Sequence, residues 1–183
     1  MSSASTSTAN EKEQLLALLE KSEKCWLDVL GSVPENASGA KLGDESWSIL
    51  QIAEHVAAAE HGMFRAMELA TEKDASPNYD LDQKIIAGGT NRTIKRQAPA
   101  PSLPKGRWQT LAECAAVFKK SRSRTLEMVQ KSDNLRGKSV MHPILGELDG
   151  HQLVLVMAGH CERHALQVEE IKASASYGAT LGT

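Results

Sequence analysis

Apolar positions recur at three- and four-residue intervals through four stretches of this chain, and no stretch alternates convincingly between apolar and polar. That pattern predicts amphipathic helices rather than strands. The first helix is expected over about residues 11–30, with Leu15, Leu18, Leu19, Ser22, Trp26, Val29 and Leu30 on one stripe, and it stops at Gly31 and Pro34. The second opens at Trp47-Ser48-Ile49-Leu50-Gln51, where Ser48 can cap the free amides while Gln51 reaches back. It continues to about Thr71 with Ile52, Val56, Ala59, Met63 and Met67 inward. The third follows Thr110, with Glu113 completing a capping box, and carries Leu111, Ala115, Phe118, Leu126 and Val129. The fourth begins after the turn His142-Pro143-Ile144-Leu145-Gly146, with Asp149 and Gln152 as its cap pair, and runs to about Ala173. Leu153, Met157, His160, His164 and Ile171 share its inward stripe. Four such helices predict an all-α, single-domain four-helix bundle over residues 11–173.

The remaining segments break the period. Residues 1–10 and 174–183 are small and polar and read as flexible tails. Residues 72–107 contain Pro77, Pro99, Pro101, Pro104 and the pair Gly88-Gly89, with a short helix expected only around Asp82 to Ala87. A connection this long either covers a site or spans the bundle to join two parallel helices. The spanning reading is the simpler one.

Composition narrows the function classes. The 183 residues are 41% hydrophobic and 24% charged, enough apolar material for one core. A net charge of −2 gives no general attraction to nucleic acid or anionic lipid. Lys119, Lys120, Arg122 and Arg124, the notable basic cluster, read as a solvated helix surface. No apolar run approaches the roughly 20 residues that cross a bilayer, and the N-terminus has no leader pattern, so a cytoplasmic protein is expected. Cys25, Cys114 and Cys161 suggest neither a disulfide framework nor a zinc ribbon.

The chemistry concentrates in the histidines. His160 and His164 lie one helical turn apart on an inward stripe, the spacing at which two imidazoles can grip one transition metal. Two unsatisfied rings facing a core would be costly, and an ion would supply the missing partner. The best third ligand by geometry is His55 on the second helix, among the small residues Ala59, Gly62 and Ala66. His61 falls on another face and reads as a surface residue; His151 is about 14 Å from His160 along the axis. His142, before Pro143, belongs to the turn. Cys161 lies about 100° around the helix from His160 and reads as a packing residue. Because Cys161 follows the first histidine where H-E-x-x-H needs a glutamate, a zinc protease of that type is excluded.

Taken together, Trp47-Ser48, Gln51-Ile52-Ala53-Glu54-His55-Val56, His142-Pro143-Ile144-Leu145-Gly146-Glu147-Leu148 and His160-Cys161-Glu162-Arg163-His164-Ala165-Leu166-Gln167 resemble the DinB superfamily, also called DinB/YfiT-like. The resemblance covers about residues 11–173. It implies a four-helix bundle with up-down-down-up connectivity and a divalent metal, zinc or nickel, on three histidines, which here are His55, His160 and His164. Characterised relatives include transferases and isomerases that use a low-molecular-weight thiol, and the family often forms homodimers, which is the expectation here.

Three neutral ligands leave an ion its full charge and an open position, so a water or thiol bound there would lose its proton near neutral pH. Gln167, one turn beyond His164, is read either as a residue of the pocket and its cofactor or as helix packing. Three functions follow, of which the first is preferred and the other two stand level. The first is a thiol-dependent S-transferase acting on a small-molecule substrate, the second a metal-dependent hydrolase, and the third a non-catalytic stress or interaction module with a structural metal.

Overall fold

The computed structural model describes residues 3–95 and 97–181, with side chains over 10–95 and 97–180. Its bundle helices are α1 (Ser3–Gly31), α2 (Ile49–Glu68), α4 (Leu111–Lys131) and α5 (Gly150–Lys172), the last two being the third and fourth helices of the sequence pattern. A shorter helix, α3 (Tyr79–Gly89), lies in the crossover, and α6 (Ala175–Leu181) follows α5. All three expected caps form. Ser48 and Gln51, Thr110 and Glu113, and Asp149 and Gln152 each exchange side-chain and backbone hydrogen bonds, satisfying amides that the first turn leaves without partners.

The buried stripes are the predicted ones. Leu15, Leu19, Ser22, Trp26 and Leu30 of α1 face Ile52, Val56, Met63 and Met67 of α2, Leu111, Phe118 and Val129 of α4, and Leu153, Met157 and Ile171 of α5. Helix α1 packs on α5 and α4, and α2 packs on α4 and α5. Neighbours α2 and α4 are joined by the long crossover, as parallel helices require, because the chain must run back along the bundle before re-entering it.

The apolar core is divided in two. One cluster gathers around Trp26, Ile52 and Phe118, the other around Leu15, Leu19, Leu153 and Met157. Between them lies a polar layer to which each bundle helix contributes one residue: Ser22, Glu60, Arg122 and Cys161. Arg122 donates to both carboxylate oxygens of Glu60, at 2.7 and 3.0 Å, to the Ser22 hydroxyl, to the Leu19 carbonyl and to the Cys161 sulfur. Arg122 and Glu60 are both fully buried. Arg122 was expected on a solvated surface with Lys119, Lys120 and Arg124; those three are exposed, but Arg122 faces inward because a carboxylate waits for it. A sequence carries no local sign of such a long-range pairing.

The tails also differ from expectation. Residues 3–10 continue α1, since nothing in them breaks a helix already nucleated by its packed portion; Met1, Ser2, Gly182 and Thr183 lie outside the described residues. In the C-terminal segment α6 docks through Tyr177, 7% exposed, and the Ser176 hydroxyl donates to the Lys41 carbonyl. One aromatic residue in a polar stretch produces no periodic signal.

A small antiparallel sheet, not anticipated, joins β1 (Thr71–Glu72), β2 (Lys138–His142) and β3 (Gly146–Asp149). Val140 and Leu148 pair inward while Met141 and Glu147 pair outward, an alternation too short to stand out. Crossover helix α3 is anchored by Asp82, which accepts from Arg136 and Gln152; Arg136 also reaches Asp149 and Glu11.

Removing one partner of a buried ion pair strands the other charge and costs about 3–5 kcal/mol, whereas replacing both with apolar groups of similar size is close to neutral. Glu60→Ala is therefore expected to lower urea stability by about that amount. The pair Glu60→Leu with Arg122→Met should lie nearer wild type than either single change. A double variant as unstable as Glu60→Ala would show that the layer contributes more than its charge balance.

Candidate metal centre

Helix α2 supplies His55 and helix α5 supplies His160 and His164. Their ring centroids lie 4.9 Å (His55 to His160), 4.8 Å (His55 to His164) and 4.5 Å (His160 to His164) apart. One nitrogen from each falls within 4.8 Å of the others. The separation of His55 Nε2 from His160 Nε2 is 3.0 Å. Two nitrogens sharing a tetrahedral zinc at 2.0–2.1 Å would sit about 3.3 Å apart, so the spacing suits a common ion.

The outer nitrogens fix the rings. His55 Nδ1 donates to the Ser102 carbonyl at 2.8 Å, which places the proton there and leaves Nε2 with a bare lone pair facing the other rings. His164 Nδ1 pairs with the Gln167 side-chain oxygen at 2.8 Å, with the same consequence for its Nε2. This is the arrangement that metal-ligating histidines adopt, with one nitrogen held by an oxygen acceptor and the other turned to the ion. His160 differs, since its Nδ1 is buried with no hydrogen-bond partner. His160 as a residue is partly buried, while His55 and His164 are 4% and 8% exposed. Trp47 closes one flank, its ring 5.0 Å from that of His55.

Electrostatics keep the rings neutral. Burial pushes the His55 pKa down against the opposing Ser102 contact. His160 is held well below its ordinary value by burial and by the neighbouring His164, His55 and His142. His164 is lowered to about 3, by burial first and then by His55. Neutral imidazole is the form that ligates a metal.

The other candidates separate as expected. His61 is exposed. His142 accepts the amides of Ile144 and Leu145 within its hairpin turn. His151 lies near Asp82, 3.9 Å away, in the α3 anchor. Cys161 is fully buried, and Arg122 donates to its sulfur. Gln167 orients His164, a role that suits its place one turn away.

Sequence reasoning offered covering a site and spanning the bundle as alternatives for the crossover and preferred the second. The crossover spans the bundle and also covers the triad. The residue preceding each histidine holds it down. Glu54, before His55, accepts the amides of Lys105, Gly106 and Arg107. Gly159, before His160, meets Gly89 so closely that a β-carbon on Gly159 would lie 3.0 Å from the Gly89 Cα. Arg163, before His164, donates to the carbonyls of Asn91 and Ile94, and Arg92 pairs with Glu170 nearby. The one legible signal was Gly88-Gly89 in a helix, a pair that invites close backbone approach.

Comparison with known proteins agrees with this architecture. A family model described as the DinB superfamily matches residues 9–168. The solved crystal structure of TT2238, described as a four-helix bundle protein, superimposes with a TM-score of 0.53 at 23% identity. The match covers 89% of this chain and 99% of that one, and it supports the fold. No curated protein matches. Among the described residues no helix is long and apolar enough to cross a membrane.

The lowered histidine pKa values carry a stability consequence. Unfolded imidazoles titrate near 6.5 and the folded ones below that, so between these values the unfolded chain binds more protons. The penalty is absent above about pH 6.5 and grows as pH falls toward the folded values. Chelator-treated protein is expected to lose urea stability steadily from pH 7 to 5, a window in which Glu54 and Asp82, whose pKa values are lowered, stay ionised. His164→Gln should flatten the slope. An unchanged slope in that variant would remove the triad as its cause.

Proposed function

The chain belongs to the DinB superfamily, and from that premise we propose that it holds one divalent metal ion on His55, His160 and His164 and uses it to activate a low-molecular-weight thiol for transfer to an electrophilic small molecule. The observation that carries the reading is the orientation of the rings. Ser102 and Gln167 take the outer nitrogens of His55 and His164, which turns two bare lone pairs inward, and His160 Nε2 joins them. An ion bound by three neutral ligands supplies a Lewis acid with an open coordination position.

The protein's own groups then have limited tasks. Trp47 and the buried His55 and His164 exclude water from the flank of the site that they line. In the transfer the S–H bond and the electrophile's carbon–leaving-group bond break and a sulfur–carbon bond forms, the electron pair leaving with the departing group and the proton passing to it or to solvent. Glu54, the carboxylate beside His55 in sequence, is fully engaged by four donors and stays ionised, so it is not free to act as a general base. Glu60 is likewise held by Arg122. Neither carboxylate is therefore available as a general base for the reaction.

Elemental analysis of protein purified without a histidine tag tests the first part. About one zinc or nickel per chain is expected, falling to a small fraction in His55→Ala and His160→Ala. A panel of low-molecular-weight thiols with a generic electrophile tests the second, with turnover expected only in the metal-loaded protein. Wild-type protein that takes up no metal when zinc and nickel are added back would sink the reading.

A further inference from the structure

Glu54 is 2% exposed and carries its charge into the interior beside a proposed ligand. Its carboxylate accepts the backbone amides of Lys105 at 2.8 Å, Gly106 at 2.9 Å and Arg107 at 3.2 Å, and the Arg107 guanidinium at 2.8 Å. Three successive amides converge on one anion because Gly106 takes a φ of 72°, which turns the chain into a concave nest that a residue with a β-carbon would strain. Arg107 carries the connection further. Its other guanidinium nitrogen donates to the carbonyls of Pro101 at 2.9 Å and Leu103 at 3.0 Å, the two residues that flank Ser102. The Ser102 carbonyl is the group that fixes His55.

We propose that Glu54 is a positioning residue for the metal centre: through Arg107 and the 101–107 loop it sets the Ser102 carbonyl against His55, and so fixes that ring's tautomer and aim. The inference rests on the metal reading above and extends it from the three ligands to the chain that orients one of them. Losing an outer partner of a metal-ligating histidine typically weakens metal binding by about 10–100-fold. Glu54 would act at one remove, by holding the acceptor in place.

Zinc affinity measured by competition with a chromogenic chelator, the visible spectrum of the cobalt(II) form, and the imidazole nitrogen chemical shifts of the metal-free protein form the test. For Glu54→Gln, whose amide nitrogen would turn donors toward the Gly106 amide that a carboxylate oxygen now accepts, affinity should fall about 10–100-fold. The cobalt spectrum should change, and the His55 shifts should leave the pattern of a proton fixed on Nδ1, while helical circular dichroism is retained. Arg107→Ala keeps the three amide contacts and removes the guanidinium's contacts to Glu54 and to residues 101 and 103. It should weaken zinc by about tenfold, and it decides the matter if Glu54→Gln fails to fold. Folded variants with wild-type affinity, cobalt spectrum and ring shifts would overturn the positioning role alone. Wild-type protein that binds no zinc would overturn the metal reading, and this inference with it.

Discussion

The contact between Arg122 and Glu60 is the constraint on which the bundle depends. A guanidinium and a carboxylate with no exposure to water can coexist there only if nearly every donor and acceptor finds a partner, because the desolvation of each ion is otherwise unrecovered. That requirement reaches all four bundle helices at once, through Ser22 and the Leu19 carbonyl on α1, Glu60 on α2, Arg122 itself on α4 and Cys161 on α5. Apolar contacts on either side tolerate small slides and rotations, but this layer does not. It sets the register of α5 at Cys161, and because His160 precedes it and His164 follows within one turn, the same layer fixes the height and rotation at which those rings meet His55.

The crossover supplies the second half of that geometry. The bundle alone places three imidazoles near one another; the segment from α3 to α4 decides how two features of the site are finished, the outer contact of His55 and the cover over α5. Its attachment is distributed among backbone contact at Gly89 and Gly159, cationic contacts at Arg163 and Arg92, and anionic capture at Glu54. Far from the triad, Asp82 and Arg136 pin the start of the same segment beneath the α5 N-cap.

What could be read in the chain follows from how local each interaction is. Helix spans, their inward stripes and the three capping boxes depend on residues three or four apart, and they were legible to within a few positions. The pairing of His55 with His160 and His164 was also legible, because only one other histidine-bearing helix face offered small neighbours. Contacts between residues far apart in sequence were not. Arg122 looked like its lysine neighbours until Glu60, 62 positions away, gave it a reason to turn inward. The strands of the small sheet were too short for an alternating pattern, and Tyr177 had no periodic companions. Glu54 was visible within a motif, but nothing in its neighbourhood announced three amides arriving from residues 105–107.

The His55 contact has a consequence for how this site can vary. Ser102 serves it with a main-chain carbonyl, which every amino acid possesses. A substitution small enough for that buried position would leave the oxygen in place, so the residue's identity matters less than the placing of its backbone. The restriction falls instead on chain length. One residue inserted or deleted between Pro99 and Arg107 would carry the carbonyl away from the imidazole while every functional letter remained intact, so count constrains this segment as firmly as the identities of Gly106 and Arg107 do.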